Sequence, residues 1–190
     1  MTEITFEEFP KMARLTRECV ITEKIDGTNA QIIITDDGQI GAGSRTRLIT
    51  PQDDNFGFAR WVEEHKEELI PGLGPGRHFG EWWGGKIQRG YGLTEKRFSL
   101  FNTTRWACRH AQVTYSTEGW APLCCYVVPE LYRGLFQESA VLDALARLAA
   151  QGSYAAPGFM KPEGIVIYHE AARIGFKKTL EKDEQPKGRV

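Results

Sequence analysis

The spacing of apolar and polar residues in the first quarter of the chain predicts strands. Two short apolar runs, "CVITEK" at 19–24 and "AQIIIT" at 30–35, are followed by "DDGQ" at 36–39 and then "IGAGS". Short runs that are rich in β-branched residues and bounded by Gly and Asp are typical of strands joined by tight turns. The pattern therefore predicts an antiparallel hairpin in this region.

Two stretches show helical spacing instead. Residues 53–70 precede the Pro/Gly-rich segment 71–76, where a helix should break. Their apolar side chains recur at near-helical intervals: Phe58, Trp61, Val62 and Leu69. The second stretch is "ESAVLDALARLAAQG" at 138–152, for which we predict Ser139 as the N-cap and Gly152 as the stop.

Further strands are predicted over 77–84, 97–102, 122–132, 163–170 and 172–179. The fold class is therefore α+β, dominated by antiparallel sheet. A chain of 190 residues is long enough for one domain with a real core,. We expect one domain over 1–190, with its motifs between 23 and 179 and a short charged tail at 180–190.

Charge and composition narrow the classes of function. The 24 Lys and Arg residues against 25 Asp and Glu give a net charge of −1, so a nucleic-acid partner would need a local basic surface,. The N-terminus does not resemble a signal peptide, and no apolar run reaches the roughly 20 residues of a membrane span. We expect a cytoplasmic protein with no membrane contact. The cysteines form no CxxC pair and are interpreted as reduced and structural, with zinc near Cys108 and His110 as the lesser alternative.

The stretch "EKIDGTNA" at 23–30 carries the candidate chemistry. A lysine amine is a nucleophile only when it is unprotonated, and neighbouring acids favour the protonated form. Acids around Lys24 therefore indicate a site for a divalent metal and a polyphosphate. Taken alone, the same residues are better explained as a surface turn between two strands.

Five further segments accompany this one in order along the chain. They are "GSRTR" at 43–47, "FGEWWGGKIQRGYG" at 79–92, "SLFN" at 99–102, "PEGIVI" at 162–167 and "RIGFKKT" at 173–179. Together with "EKIDGTNA" they resemble the motifs of ATP-dependent RNA ligases of the phage RNA ligase 2 type, within the superfamily of polynucleotide ligases and RNA capping enzymes. Each motif is weak alone, but the ordered set covers residues 23–179.

The resemblance implies a fold and a reaction. The fold would be an antiparallel-sheet-rich nucleotidyltransferase (adenylylation) domain of the ATP-grasp-like ligase type, here without a C-terminal OB or helical domain. The lysine would attack the α-phosphorus of ATP, AMP would pass to a 5′-phosphate end, and a 3′-OH would displace it. The implied cofactors are ATP and Mg²⁺ or Mn²⁺.

Roles follow from the resemblance residue by residue. Lys24 would be the nucleophile, with Asp26 and Asn29 orienting the nucleotide and strand ends. Glu23 fits a cofactor contact or a plain capping acid equally well. Arg45 would bind phosphate or ribose, and Arg47 is a weaker candidate.

The later motifs complete the implied site. Glu81 would reach the ribose hydroxyls, and Glu163, together with Glu81, would contact the metal. Phe101 would stack on adenine, with Phe98 as the alternate. Lys177 would contact the α-phosphate. The family pattern K-x-K lacks its second lysine here unless Lys178 supplies it through a β-bulge. Asn102 replaces the usual Asp.

The expected partner is nucleic acid with 5′-phosphate and 3′-OH ends, and RNA is favoured. The protein is expected to be a monomer. An accessory strand-binding protein is a further option. Candidate strand contacts are the basic residues Lys86, Arg89, Lys96, Arg97 and Arg105,. The alternatives are a minimal ATP-dependent DNA ligase and, from another class, a non-catalytic module that binds nucleic-acid ends with a vestigial pocket. A capping guanylyltransferase is disfavoured because the chain lacks an OB fold.

Overall fold

The computed structural model describes residues 4–110 and 118–183. Its strands are β1 (Glu18–Lys24), β2 (Thr28–Ile34), β3 (Ile40–Gly43), β4 (Leu48–Ile49), β5 (Gly76–Gly84), β6 (Lys96–Leu100), β7 (Trp106–Ala107), β8 (Gly119–Trp120), β9 (Cys125–Val127), β10 (Glu130–Leu135), β11 (Gly164–His169) and β12 (Ile174–Thr179). The helices are α1 (Phe58–Glu64), α2 (Lys66–Leu73) and α3 (Glu138–Gln151), with a 3₁₀ turn at Gly90–Gly92. The mixed α+β class predicted from the sequence is confirmed.

The first sheet, sheet A, has the strand order β10-β1-β11-β12 and is antiparallel throughout. One face of it packs against α3. Alternate residues of β1 and β11, including Cys19, Ile21, Ile165 and Ile167, form a buried cluster with the apolar side of this helix. Period-2 alternation therefore places the intervening residues of both strands, Lys24 among them, on the other face.

The second sheet, sheet B, has the order β4-β3-β2-β5-β6-β9. Even-numbered residues of β2, β5 and β6, such as Ile32, Trp82 and Phe98, form the largest core cluster with α1 and α2. Odd-numbered residues occupy the opposite face, which we call the open face of sheet B. Two pairings are parallel, β6 with β9 and β7 with β8, so antiparallel pairing dominates the described chain without being exclusive.

The helix predictions needed two corrections. The first helical stretch is two short helices, and the second of them runs through Pro71 to Leu73 rather than breaking at 71. Pro71 removes one backbone donor from the helix, but Leu69 and Leu73 on either side of it are buried in the largest core cluster, and this packing holds the last turn in place. Ser139 is not the N-cap of α3, because the helix begins at Glu138 after an extended Gln137, and no side chain caps it. Gly152 ends the helix as predicted, with φ 80°.

The two sheets meet at a third, smaller core cluster formed by Ile25, Trp83, Tyr91, Val128 and Ala156. Ile25 directly follows β1, and Trp83 lies on the open face of sheet B. This cluster therefore joins the end of β1 to the open face of sheet B. Within the described ranges, no helix is long and apolar enough to cross a bilayer.

Candidate active site

Lys24 is the last residue of β1, and its ammonium contacts a buried carboxylate. Lys24 Nζ lies 2.7 Å from Glu163 Oε2, and the two side chains are 21% and 2% exposed. The register pairs Lys24 with Gly164, which puts Glu163 beside the end of β1. Gly164 has φ +155°, and a Cβ there would lie 2.2 Å from the Lys178 carbonyl oxygen. Only glycine therefore fits at position 164, the first residue of β11. The close pairing at this position keeps Glu163 next to Lys24.

Glu81 holds the turn that follows Lys24. Its Oε1 accepts a hydrogen bond from the Gly27 N–H at 3.1 Å, and its Oε2 accepts one from Asn29 Nδ2 at 3.2 Å. Asn29 and Glu81 are direct cross-strand partners on β2 and β5. Burial raises the pKa of Glu81 to about 7; Lys24 and the Gly27 bond oppose this rise, while the charges of Glu163 and Asp26 add to it,.

Asp26 is fixed by two residues from the "IQRGYG" turn. Arg89 Nε donates to Asp26 Oδ2 at 3.1 Å, and the Asp26 N–H donates to the Tyr91 hydroxyl at 2.8 Å. Arg89 also donates to the Lys161 carbonyl at 2.9 Å, which ties the turn to the segment before Glu163. Sequence reasoning missed Tyr91 and assigned Arg89 to strand capture. The sequence feature that could have indicated Tyr91 is the glycine on each side of it, because these glycines indicate a tight turn. In that turn Tyr91 has φ 52°,.

Glu23 differs from its predicted role as a cofactor contact. Its buried carboxylate accepts hydrogen bonds from Ser153 Oγ at 2.6 Å and from the N–H groups of Tyr154 and Ala155 at 2.8 and 2.9 Å. Burial raises its pKa, against the effect of these bonds. Because adjacent strand residues point to opposite faces, the Glu23 carboxylate lies on the α3 side of sheet A, away from Lys24. Its carboxylate therefore anchors the loop after α3.

The two arginines of the "GSRTR" motif, Arg45 and Arg47, lie in different environments. Arg45 is exposed in the turn after β3. Arg47 is engaged with Asp53, with Nη2 to Oδ1 at 2.9 Å. The turn is connected to sheet B because Gln31 Nε2 donates to the Ser44 carbonyl at 3.3 Å. Both arginines are exposed, and Arg47 is the one that is paired with a carboxylate.

The two aromatic candidates also separate. Phe98 is fully buried among Phe58 and Trp61 on the helical side of sheet B. Phe101 is 40% exposed at the end of β6. Phe98 is therefore a core residue, and Phe101 is the side chain that a bound base could reach.

Lys177 and Lys178 lie on opposite faces of sheet A. The β11–β12 register runs from Gly164 with Thr179 to His169 with Ile174 and records no shift, so the proposed bulge is absent from this strand pair. Lys177 pairs with Val166, which pairs with Thr22, two residues before Lys24 on the same face. Lys178 pairs with Ile165 on the α3 side and contacts Asp183 at 3.3 Å. Without the bulge, Lys178 lies on the face opposite Lys24, and Thr179 occupies the i+2 position on the face of Lys24.

The basic residues proposed for strand capture are largely engaged within the protein. Arg97 lies over the rings of Trp83 and Tyr126, and Arg105 donates to the Leu73 carbonyl at 3.0 Å. Lys86 and Lys96 are exposed, although Lys96 Nζ donates to the Phe56 carbonyl. With Arg89 bound to Asp26, three of the five are partly buried.

The carboxylates fit a divalent cation that is shared with a ligand. Over the described residues, no group of three or more His, Cys, Asp or Glu side chains is arranged to hold a metal by itself, which also leaves the zinc alternative without support there. Glu163 and Glu81 are buried, and the charge of Glu163 contributes to the raised pKa of Glu81. Mg²⁺ is commonly held by one or two carboxylates plus substrate phosphates, so these two residues suit it.

A family model described as RNA ligase matches residues 17–183. The chain belongs to the RNA ligase family. The matched residues include every motif from Lys24 to Lys177, and therefore both sheets and the contacts described above. No functionally curated protein shows a significant sequence match to the chain.

Solved RNA ligase structures share the fold of this family member. Three come from Naegleria gruberi RNA ligase. A variant with AMP and Mn has a TM-score of 0.57 and 19% sequence identity, and the match covers 87% of this chain and 50% of that one. A variant with ATP and Mn (TM-score 0.56, 18% identity) and an apo variant (TM-score 0.56, 20% identity) each match over 86% of this chain and 50% of theirs. At this identity the likeness establishes the fold. The chain spans about half the length of these ligases.

Proposed function

We propose that this chain is an ATP-dependent RNA ligase that joins 3′-OH and 5′-phosphate ends through a lysyl-AMP intermediate on Lys24. The observation that carries the proposal is the contact of the Lys24 ammonium with the buried Glu163 carboxylate, in a chain whose residues 17–183 match the RNA ligase family. The domain is proposed to be a nucleotidyltransferase domain over residues 1–190.

In the first step, Lys24 Nζ attacks the α-phosphorus of ATP. A P–N bond forms, the P–O bond to pyrophosphate breaks, and the amine must first lose a proton. Glu163 Oε2, at 2.7 Å, is positioned to accept that proton and to fix the direction of the amine,. AMP then passes to the 5′-phosphate of a strand, and a 3′-OH displaces it to form the phosphodiester bond.

The other side chains bind and orient the nucleotide. Glu81, Asn29 and Asp26 hold the turn after Lys24, and we assign Glu81 to the ribose hydroxyls. Phe101 is exposed for stacking on adenine. Arg45 and Lys177 are exposed cations, suited to phosphate because a positive charge stabilises the charge that develops there,.

Mg²⁺ or Mn²⁺ is the proposed second cofactor, with Glu163 and Glu81 as the residues that would hold it. When bound, it would offset the negative charge of the triphosphate and of these carboxylates. We propose that the partner is RNA and that the protein is a cytoplasmic monomer, with an accessory strand-binding protein as the alternative to capture by its own surface. A DNA ligase is the second candidate, because the contacts of Lys24, Glu81 and Glu163 concern ATP and not the sugar of the strand.

The test is incubation of the protein with α-labelled ATP or GTP and Mg²⁺ or Mn²⁺. We expect label on the chain from ATP only, and none in Lys24→Ala, which removes the nucleophile but no core volume. The adduct-forming protein is then given nicks with ribose or deoxyribose on the 3′-OH side, and faster sealing of the ribose nick is expected. An adduct in Lys24→Ala would refute the mechanism, and failure of the wild type to form one would support the non-catalytic alternative.

A further inference from the structure

Two aromatic residues lie directly opposite each other on the open face of sheet B. The β5–β6 register pairs Glu81 with Ser99 and Gly80 with Leu100. The ladder continues one residue further, since the Phe101 N–H donates to the Phe79 carbonyl at 3.0 Å. Phe79 and Phe101 are therefore cross-strand neighbours.

Both rings are unusually open to solvent for strand aromatics. Phe79 is 53% exposed and Phe101 is 40% exposed, whereas Gly80 and Leu100 on the other face are buried. Aromatic side chains on strands are usually part of a core. Opposite residues in a sheet have Cβ atoms about 4.5–5.5 Å apart. Two exposed aromatic side chains thus project from neighbouring positions at this end of the open face.

This aromatic surface is continuous with the candidate active site. Glu81 follows Phe79 by two residues on the same strand face, a separation of about 7 Å. At the far side of Glu81, Trp83 is buried in the cluster that joins the two sheets. Along this face of β5 the side chains are therefore buried at Trp83 and exposed at Phe79.

A fixed polar side chain borders the aromatic surface. Gln31 is the β2 partner of Phe79. Its Oε1 accepts from Arg77 Nη1 at 3.1 Å, and its Nε2 donates to the Ser44 carbonyl at 3.3 Å. An amide held in this way keeps one N–H and one lone pair for a ligand. Apolar rings beside an oriented donor and acceptor suit a planar heterocycle with polar edges.

We infer that Phe79 forms the second half of a two-ring floor, with Phe101, for the purine base of ATP. The inference rests on the proposed function and deepens it by naming a base-binding residue. The occupant is the ATP base rather than a base of the RNA strand, because the surface adjoins Glu81, the proposed ribose contact. Phe79 would bind ATP, and we assign it no part in the chemistry at phosphorus.

The experiment measures binding apart from adduct formation by placing each change in Lys24→Ala protein. ATP and inorganic tripolyphosphate are titrated calorimetrically into this background and into its Phe79→Ala, Phe79→Leu and Phe79→Tyr derivatives. Loss of a base–aromatic stack should weaken ATP binding roughly ten- to hundredfold in Phe79→Ala. Phe79→Leu should fall between, Phe79→Tyr should match the background, and tripolyphosphate affinity should not change. Phe176→Ala is the matched control, because Phe176 is 54% exposed on the α3 side of sheet A.

Two results would overturn the inference while leaving the proposed function intact. One is unchanged ATP affinity in Phe79→Ala, including the case in which RNA affinity falls instead. The other is an equal loss for ATP and tripolyphosphate, which would exclude a base contact. Failure of the proposed function is seen separately, as absence of the labelled adduct in protein that retains Lys24.

Discussion

Glu23 and Lys24 are consecutive in β1, yet their charged groups lie on opposite faces of sheet A. The Glu23 carboxylate is bound to the loop after α3, and the Lys24 ammonium contacts Glu163. Because side chains alternate along a strand, these two adjacent charged residues have different roles: Glu23 anchors a loop, and Lys24 is the candidate nucleophile. The same alternation separates Lys177 from Lys178.

The Glu23 anchor should be required mainly for stability. Glu23→Ala leaves the buried Ser153 hydroxyl and two part-buried N–H groups without their acceptor, and a lost partner in a buried place costs about 1–3 kcal/mol,. We expect the free energy of unfolding in urea to fall by about 2–5 kcal/mol. Glu18→Ala, an exposed position at the start of the same strand, is the control. A Glu23→Ala protein as stable as the control would refute the anchoring role.

The lysines of β12 should differ in their effect on adduct formation. Lys177→Ala removes an exposed cation from the face that carries Lys24 and should slow lysyl-AMP formation by at least about tenfold, as expected when a group that stabilises charge is lost,. Lys178→Ala removes a cation from the opposite face and should remain close to wild type. Rates are measured with labelled ATP under single-turnover conditions. The reverse order of effects would show that Lys178 supplies the phosphate contact.

Substitution of Glu163 should separate loss of the proton acceptor from loss of packing. Glu163→Gln keeps the size of the side chain but cannot take the Lys24 proton, and adduct formation should fall about 10²–10⁴-fold. Glu163→Asp shortens the arm and should recover little of this loss. The pH dependence of the single-turnover rate is recorded for each variant, together with its urea denaturation. Wild-type rates in Glu163→Gln would remove this carboxylate from the first step.

Glu81 should make the folded protein less stable as the pH rises. Its pKa is raised from 4.5 to about 7 on folding, mainly by burial, so the native state binds this proton more tightly than the unfolded state. Its contribution to the free energy of unfolding is greatest below pH 4.5 and is lost as the pH rises through 7, by up to about 3 kcal/mol. Glu81→Gln should lack this slope. Urea denaturation in EDTA between pH 5 and about 8 checks this, and identical slopes would contradict it.

Sealing should be more sensitive to salt than self-adenylylation. Strand capture depends on cations at the protein surface, and phosphate contacts of that kind weaken linearly in log affinity with log salt. Three of the five predicted capture residues are partly buried and engaged internally, so few exposed cations remain among that group. The measurement is sealing of a pre-adenylylated nick by wild type and Lys24→Ala, compared with adduct formation, across one salt series. Equal salt dependence of the two reactions would refute surface capture.

The sequence predicted most strands because their patterns are local. The "DDGQ" turn and the runs in β2, β5 and β11 needed only alternation and a glycine to be recognised. The same local reasoning misplaced the start of α3, where no capping side chain contributes and packing against sheet A fixes the helix. It also expected a break at Pro71, which helix packing overrides.

The candidate site was predicted less completely, because its contacts join distant segments. The order of the motifs identified Lys24, Glu81 and Glu163. It did not show which donor each buried carboxylate would contact. Glu23 contacts Ser153 and Arg89 contacts Lys161, in loops far along the chain. The only sequence feature that marked Tyr91 was the glycine on each side of it. Such pairings depend on the order of strands in the sheet, which periodicity does not encode.

That strand order has a consequence for how the protein is made. β1 is synthesised early, but its two neighbours in sheet A are β10 and β11, and Lys24 is 139 residues from Glu163 in the chain. At a synthesis rate of about 5–20 residues per second, the segment with the lysine waits several seconds on the ribosome for its partners. The site of the nucleophile is therefore assembled only after Glu163 and β11 have been synthesised, and a chain that stops before Glu163 lacks the carboxylate that orients the lysine.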